Sequence, residues 1–163
     1  MIRALGISLL IALSGPAFAL SCMPPDVART YQEAADAEEA YIVVHGRLDF
    51  DESRLPKADM ANQHATPPDT LIPARIDGKA MSLDGFTIPF TRKITLNAQC
   101  FGPWCAGAAS DTDYLTFLKK GADGYLLSLT PCGGFGFANP SDAALEKVHG
   151  CFRGDDCTAA PLR

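Results

Sequence analysis

Six cysteines constrain the fold of this chain more than any other feature of its sequence. They are Cys22, Cys100, Cys105, Cys132, Cys151 and Cys157. An even number of cysteines indicates disulfides in a chain that folds in an oxidising compartment, and metal binding or redox chemistry in a cytosolic one. How these cysteines are used therefore depends on where the chain folds.

The first 19 residues have the pattern of a secretory signal peptide. Arg3 supplies a positive charge, residues 4–13 are apolar, and Ala17-Phe18-Ala19 has small residues at both ends. The apolar run is too short to span a bilayer, and a small-x-small motif is typical of a cleavage site. We expect cleavage after Ala19 and export of residues 20–163.

The expected mature chain has 144 residues, enough for a single domain with a substantial core. Loss of Arg3 leaves 13 Lys and Arg residues against 19 Asp and Glu, a net charge of −6 without a basic run. This charge argues against nucleic acid and anionic membranes as partners. No second apolar segment is long enough for a membrane anchor, and Ala19 disfavours acylation of Cys22 because lipoprotein signals have leucine there. We therefore expect a periplasmic or secreted protein without a membrane anchor.

The hydrophobic pattern predicts a mainly β domain with one helix at each end. Residues 26–39 have apolar side chains at helical spacing and acidic side chains on the other face. A second helix is predicted to be capped by Asn139 and to end at Gly150, followed by a tail loop over 151–163. Residues 51–70 are polar, contain proline and lack a period, which predicts a long surface loop.

Alternation of apolar and polar side chains predicts the strands. The predicted strands are 41–50, 71–82, 86–99, 113–120 and 124–132. Asp77-Gly78 predicts a hairpin turn inside the second of these segments. Several antiparallel strands of unequal length in a short chain favour a small five-stranded closed barrel over a sandwich.

Two stretches of the chain have an order of motifs that matches a known family. The first is LSCMPPDVARTYQEAADAEEAYIVVHGRL, 20–48, with an early cysteine, a short helix and a Val-rich strand. The second runs from QCFG through DYLTFL and a DG turn to Cys132, and then through a helix to Cys151. This order resembles that of netrin-like modules, the oligonucleotide/oligosaccharide-binding-type barrels best known from tissue inhibitors of metalloproteinases. The resemblance implies a disulfide-tied barrel that binds a protein partner and has neither an enzymatic activity nor a cofactor.

The resemblance also implies how the cysteines pair. In the inhibitors, the third residue of the mature chain is a cysteine bonded to the one that ends the later strand, here Cys22 and Cys132. The family's partners of Cys100 and Cys151 are missing, because Leu20 stands at the first position and the first helix has no cysteine. A new cysteine follows shortly after each. The implied bridges are Cys22–Cys132, Cys100–Cys105 and Cys151–Cys157, one of the fifteen connectivities that six cysteines allow.

The segment AQCFGPWC, 98–105, allows a structural and a chemical use of its cysteines. A small disulfide loop would turn at Gly102-Pro103 and place Trp104 over the end of the barrel. A thiol–disulfide redox pair of Cys100 and Cys105 is the alternative, although such pairs usually have two intervening residues and begin a helix, where the thiol pKa falls. Zinc is disfavoured because the histidines are scattered. They are His45, His64 and His149.

Three further motifs have a functional and a structural interpretation. Arg153-Gly154-Asp155 is an adhesion motif in some proteins, but so short a motif also arises by chance. Asp49, Asp51 and Glu52 could ligate calcium or form a solvated loop edge. GGFGFANP has neither dinucleotide-binding nor P-loop spacing, which favours a tight corner of the barrel over a phosphate cradle.

The resemblance identifies the new N-terminus, together with the loops at Cys132 and Cys100–Cys105, as the candidate contact surface. The family's inhibitors bind the zinc of their target through the α-amine and first carbonyl of the mature chain. Leu20, Ser21 and Cys22 occupy that place here, without the disulfide that fixes the first residue in the relatives. We expect an exported, non-enzymatic binding module for which protease inhibition is doubtful, and a small redox protein using Cys100 and Cys105 is the alternative.

Overall fold

The computed structural model describes residues 20–62 and 65–161. The predicted signal peptide and His64 lie outside the described residues. Two helices, eight strands and a 3-10 turn follow one another along the described chain. They are α1 (Val27–Asp36), β1 (Tyr41–Phe50), the 3-10 turn (Glu52–Arg54), β2 (Asp69–Ser82), β3 (Gly85–Phe101), β4 (Trp104–Cys105), β5 (Thr112–Gly121), β6 (Gly124–Thr130), β7 (Gly133–Gly134), β8 (Gly136–Ala138) and α2 (Asp142–Arg153). This confirms a mainly β fold with one helix at each end.

The five long strands pair in an order that returns to the first of them. β1 pairs with β2, β2 with β3, β3 with β6, β6 with β5, and β5 with β1. Four of these pairings are antiparallel, whereas β3 and β6 run parallel. The prediction of antiparallel pairing throughout is therefore wrong at this contact. Five strands cannot alternate in direction around a complete circuit, so one neighbouring pair has to be parallel.

Buried apolar side chains form two clusters, one on each face of the sheet. The larger cluster has members from all five long strands. Its fully buried members are Val44, Leu48, Ile72, Ile76, Leu96, Ala98, Leu118 and Leu127. The smaller cluster joins the opposite faces of β1 and β5 to the two helices. Its buried members are Ala34, Val43, Met81, Leu115, Phe117 and Val148. Near the helices, β1 and β5 are therefore covered on both faces.

The predicted hairpin at Asp77-Gly78 is instead the interior of β2, which runs through it without interruption. Gly78 lies opposite Gly46 of β1, and a Cβ on Gly78 would stand 2.2 Å from the carbonyl oxygen of His45. Glycine within a strand often marks a site where another backbone approaches closely. The two glycines allow β1 and β2 to come together there, and no turn forms.

The alternation predicted for 86–99 holds in the second half of β3 and fails near its start. Ile94 is 5% exposed, but Ile88 is 51% exposed. A bulge interrupts the pairing of β3 with the end of β2, and an extra residue in one strand shifts the alternation of side chains. Phe86 consequently packs in the smaller cluster, whereas Phe90 packs in the larger one.

The second helix begins and ends later than predicted. Ser141, rather than Asn139, is its cap, and the Ser141 side chain accepts a hydrogen bond from the Ala144 N–H. Gly150 continues the helix, and Gly154 ends it with φ 87°, a left-handed conformation that glycine adopts without strain. The prediction of a tail loop over 151–163 is therefore wrong for its first three residues, which complete α2.

Two other predicted boundaries also shift. α1 ends at Asp36, short of residue 39, because the acidic residues that follow are unfavourable at the negative end of the helix dipole. The loop predicted over 51–70 contains the 3-10 turn and ends at Asp69, where β2 begins. A residue in that loop, Asp51, caps the 3-10 turn by accepting from the Ser53 N–H.

Candidate functional site

The three disulfides have the pairing that the resemblance implies. Cys22–Cys132, Cys100–Cys105 and Cys151–Cys157 have Cα–Cα distances of 5.2, 4.0 and 4.7 Å. All six cysteines are therefore paired. Three disulfides in one small domain indicate an oxidising, exported environment, since reducing compartments do not preserve them.

The bridge to Cys132 attaches the N-terminal segment to the turn between β6 and β7. The Cys132 N–H donates to Thr130 Oγ1 at 3.2 Å, which holds the start of the turn. Gly133 and Gly134 follow with φ of 108° and 81°. A Cβ on Gly134 would also stand 2.8 Å from the Ser128 carbonyl oxygen. Glycine is thus required where the turn packs back onto β6, and the turn is a firm support for Cys22.

A groove of about 350 Å³ lies between the N-terminal segment, α1 and this turn. Its walls are residues 21–26, the α1 side chains of Arg29, Thr30 and Glu33, and residues 132–135. Ser21 and Cys22 are exposed, while Leu20 is half-buried. The groove and the segment beside it form one continuous surface on which a partner could contact both backbone and charged side chains.

Asp26 and Arg29 connect the two ends of the described chain at this groove. The Asp26 carboxylate accepts from the backbone N–H groups of Arg29 and Ala160, both at 2.9 Å. The Arg29 guanidinium donates to the carbonyls of Pro24 at 3.2 Å and Ala160 at 3.4 Å. Burial alone would raise the pKa of Asp26, but the backbone donors Arg29 and Ala160 outweigh it and lower that pKa. Asp26 is thus held ionised and attaches the C-terminal tail to the start of α1, while Arg29 contacts the N-terminal segment at Pro24.

The predicted contact surface also included the Cys100–Cys105 loop, and the structure does not bring that loop into the groove. The groove is lined by the turn at Cys132, and the cysteines of the β3–β4 hairpin are not part of its wall. Sequence reasoning missed Arg29, which lines the groove, and Ala160, which is hydrogen-bonded to Arg29 and Asp26. The helix cap Asp26, followed three residues later by Arg29, was a sequence signal for the role of Arg29. No local sequence signal indicates the role of Ala160.

Cys100 and Cys105 face each other across the β3–β4 hairpin. Gly102 makes the turn with φ 60°, and Trp104 is half-buried beside it. Cys100 itself is only 5% exposed. Strands and a turn surround both cysteines, so neither sulfur lies at a helix N-terminus, where redox pairs obtain a lowered thiol pKa. The geometry is that of a small structural loop.

The charged side chains of the other candidate motifs form ion pairs or hydrogen bonds with other residues of the chain. Arg153 pairs with Asp155 at 2.5 Å, so the two charged side chains of the Arg-Gly-Asp motif contact each other. Glu52 accepts from the Ser110 N–H at 2.6 Å and Asp49 accepts from the Ser110 hydroxyl at 3.0 Å. Among residues 20–62 and 65–161, no three His, Cys, Asp or Glu side chains are placed to hold a metal ion.

No helix in the described part of the chain is long and apolar enough to cross a membrane. No family model, curated protein or solved structure matches this chain. The candidate site therefore rests on its own geometry: an exposed N-terminal segment, a disulfide that attaches it to a glycine turn, and a charged groove beside it.

Proposed function

We propose that this chain is an exported, non-enzymatic binding module of the netrin-like type, which contacts a protein partner through Leu20, Ser21 and Cys22. The observation that carries the proposal is the Cys22–Cys132 bridge, which attaches an exposed segment to the rim of a groove. A surface anchored in this way loses less conformational entropy on binding than a free chain end.

The strand pairings support an oligonucleotide/oligosaccharide-binding-type barrel as the scaffold. Such barrels have five strands, and closure requires every long strand to have two neighbours. Each of the five long strands here has two, and all five contribute to the larger cluster. On these grounds, the scaffold that we propose is the predicted closed barrel.

Signal cleavage after Ala19 would place the free α-amine on Leu20, two residues before the bridged Cys22. An α-amine has a reference pKa near 8, so part of it is neutral at pH 7 and able to ligate zinc. Leu20 and Ser21 lack the disulfide that fixes the relatives, and ordering each of them costs about 1–2 kcal/mol. We therefore expect weak metalloprotease inhibition or none, and recognition mainly by the shape of the groove.

Site-specific photocrosslinking tests this contact surface. Ser21 and Met60 are both exposed, and Met60 lies in the loop before β2. A photoreactive amino acid at Ser21 is expected to give one discrete adduct with an exported protein, identified by mass spectrometry, and the same group at Met60 none. The same adducts from both positions, or none from Ser21, would contradict the proposal.

The matched N-terminal control is a protein with one additional alanine before Leu20. If the contact depends on shape, the adduct at Ser21 persists in the extended protein. If only the authentic N-terminus inhibits a purified zinc protease, the chain uses its α-amine as the inhibitors do.

A further inference from the structure

The sheet is open between β1 and β2 at the end near the helices. β5 pairs with β1 from Tyr41 onward, but β2 pairs with β1 only from Val44 onward. Beyond the Val44–Ala80 pair, an extra residue in β3 shifts the β2–β3 register, and β2 continues to its end beside β3 alone. Among the described residues, the edge of β1 over 41–43 that faces β2 therefore has no neighbouring strand.

The backbone groups on this edge can be assigned from two neighbouring contacts. Neighbouring residue pairs in an antiparallel ladder alternate between close pairs without hydrogen bonds and wider hydrogen-bonded pairs. Gly46 and Gly78 form a close pair, because a Cβ on Gly78 would stand 2.5 Å from the Gly46 Cα. The Ala40 carbonyl accepts from the Lys120 N–H, so even-numbered residues direct their polar groups toward β5. Odd-numbered residues of β1 face the β2 side, and the Val43 N–H points into the opening.

A groove of about 320 Å³ occupies the opening. Ile42 and Ala80 in its wall pack against the larger cluster, whereas Val43 and Met81 belong to the smaller one. Side chains alternate between the faces of a strand, so a depression in one face would expose only one of these sets. The groove therefore includes the gap between the two strands, and its other side is formed by helix residues, which are Tyr31, Ala34, Ala35 and Phe152. Ile88, 51% exposed, stands at its rim.

The residues at this edge favour strand addition. Natural proteins protect unpaired edges with lysine, proline or a covering element. The Tyr-Ile-Val sequence at 41–43 has neither lysine nor proline, and α1 lines the groove without pairing with this edge. Aromatic and β-branched residues are the ones enriched in paired strands. Acidic side chains flank the edge, since Asp36 and Glu38 are exposed just before β1.

We propose that this gap binds an extended peptide segment, which adds as a strand to the edge of β1 at 41–43. The open backbone edge requires a partner with its own amide groups, the apolar wall requires alternating apolar side chains, and the acidic flank favours a lysine or arginine beside them. This mode of binding is β-augmentation. The gap does not include the N-terminal surface of Leu20, Ser21 and Cys22, so either proposal can fail without the other.

A titration with a synthetic peptide tests the proposal. Uniformly ¹⁵N-labelled 20–163 is titrated with acetyl-Lys-Val-Thr-Val-Lys-amide, and with the same peptide N-methylated at alternate residues. We expect saturable binding, exchange of the Val43 amide hydrogen slowed at least about tenfold at saturation, and binding at least about tenfold weaker after N-methylation, the effect of losing one or two hydrogen bonds. N-methylation leaves the side chains in place, so equal binding of the two peptides would overturn strand addition.

Two matched variants locate the binding site. Ile88→Lys places a cation at the rim of the gap, and Leu83→Lys places one at the turn of the same hairpin, where Leu83 is 67% exposed outside the groove. Because both positions are exposed, both variants are expected to fold, and only Ile88→Lys should weaken peptide binding, by about tenfold. Absence of binding at about 1 mM peptide with unchanged Val43 exchange would overturn the proposal. Concentration-dependent dimerisation that protects Val43 without peptide would also overturn it, because a second copy would then be the occupant.

Discussion

Replacing Cys22 and Cys132 together with serine is expected to lower the free energy of unfolding by about 4–5 kcal/mol. The bridge spans 110 residues of sequence, and the entropy of the unfolded chain released by breaking it grows with that length. Neither cysteine is fully buried, so the substitution leaves no large cavity. Urea unfolding at neutral pH measures the change.

The control for this prediction is the double variant with Cys151→Ala and Cys157→Ser, because the bridge between these residues closes a loop of only 6 residues and alanine puts no hydroxyl at the buried position 151. The same entropy argument gives about 2 kcal/mol for the shorter loop. Equal losses in the two double variants would mean that the long bridge does not restrict the unfolded chain as proposed.

Ile94→Ala is expected to cost about 2–5 kcal/mol, the range for a large-to-small change in a packed core. Ile94 is 5% exposed and belongs to the larger cluster. Its neighbour Thr95 lies on the opposite face of β3, where it is only partly buried. Thr95→Ala should change stability by less than about 0.5 kcal/mol. Similar losses in both variants would show that the larger cluster is not the core that stabilises the sheet.

Local sequence patterns were sufficient to predict the helices, strands and turns that depend only on neighbouring residues. The alternation over 41–50 predicted β1 and the side of it that is buried. The Gly-rich turn at 121–124 joins β5 and β6 as expected, because a short loop between two apolar runs can form only a hairpin. Val148 is buried on the inner face of α2, where the helical spacing of that segment places it.

The errors lie at positions where a distant partner decides the structure. Asp77-Gly78 has the composition of a hairpin turn, and only Gly46 on another strand makes it a close strand contact. Gly150 is a reasonable helix end by itself, but the helix continues, which buries the bridged Cys151 at 5% exposure. Neither partner is visible in a window of a few residues.

The two candidate surfaces also depend on residues that are distant in the sequence. The N-terminal surface was expected from a resemblance in the order of the cysteines and stays a proposal, whereas Asp26 in the wall of its groove accepts a hydrogen bond from Ala160, 134 residues away. The gap beside β1 arises where the β2–β3 bulge ends a pairing that both strands would otherwise continue. Sequence periodicity describes single strands and gives no indication of where two of them separate.

A tryptic map of the exported protein, alkylated without reduction, examines all of the bridges in one digestion. Trypsin cleaves after lysine and arginine, so each of the three bridges gives a different product. The expected disulfide products are 20–29 joined to 121–147, 148–153 joined to 154–163, and 94–119 with an internal bridge. An alkylated 94–119 peptide would instead favour the redox alternative.

The peptide that contains Cys22 reports on both requirements of the proposed surface, a new N-terminus and its attachment to Cys132. We expect this peptide to begin at Leu20 and to be joined to the peptide 121–147. A peptide that begins before Leu20, an alkylated Cys22, or Cys22 joined to any other cysteine would contradict it.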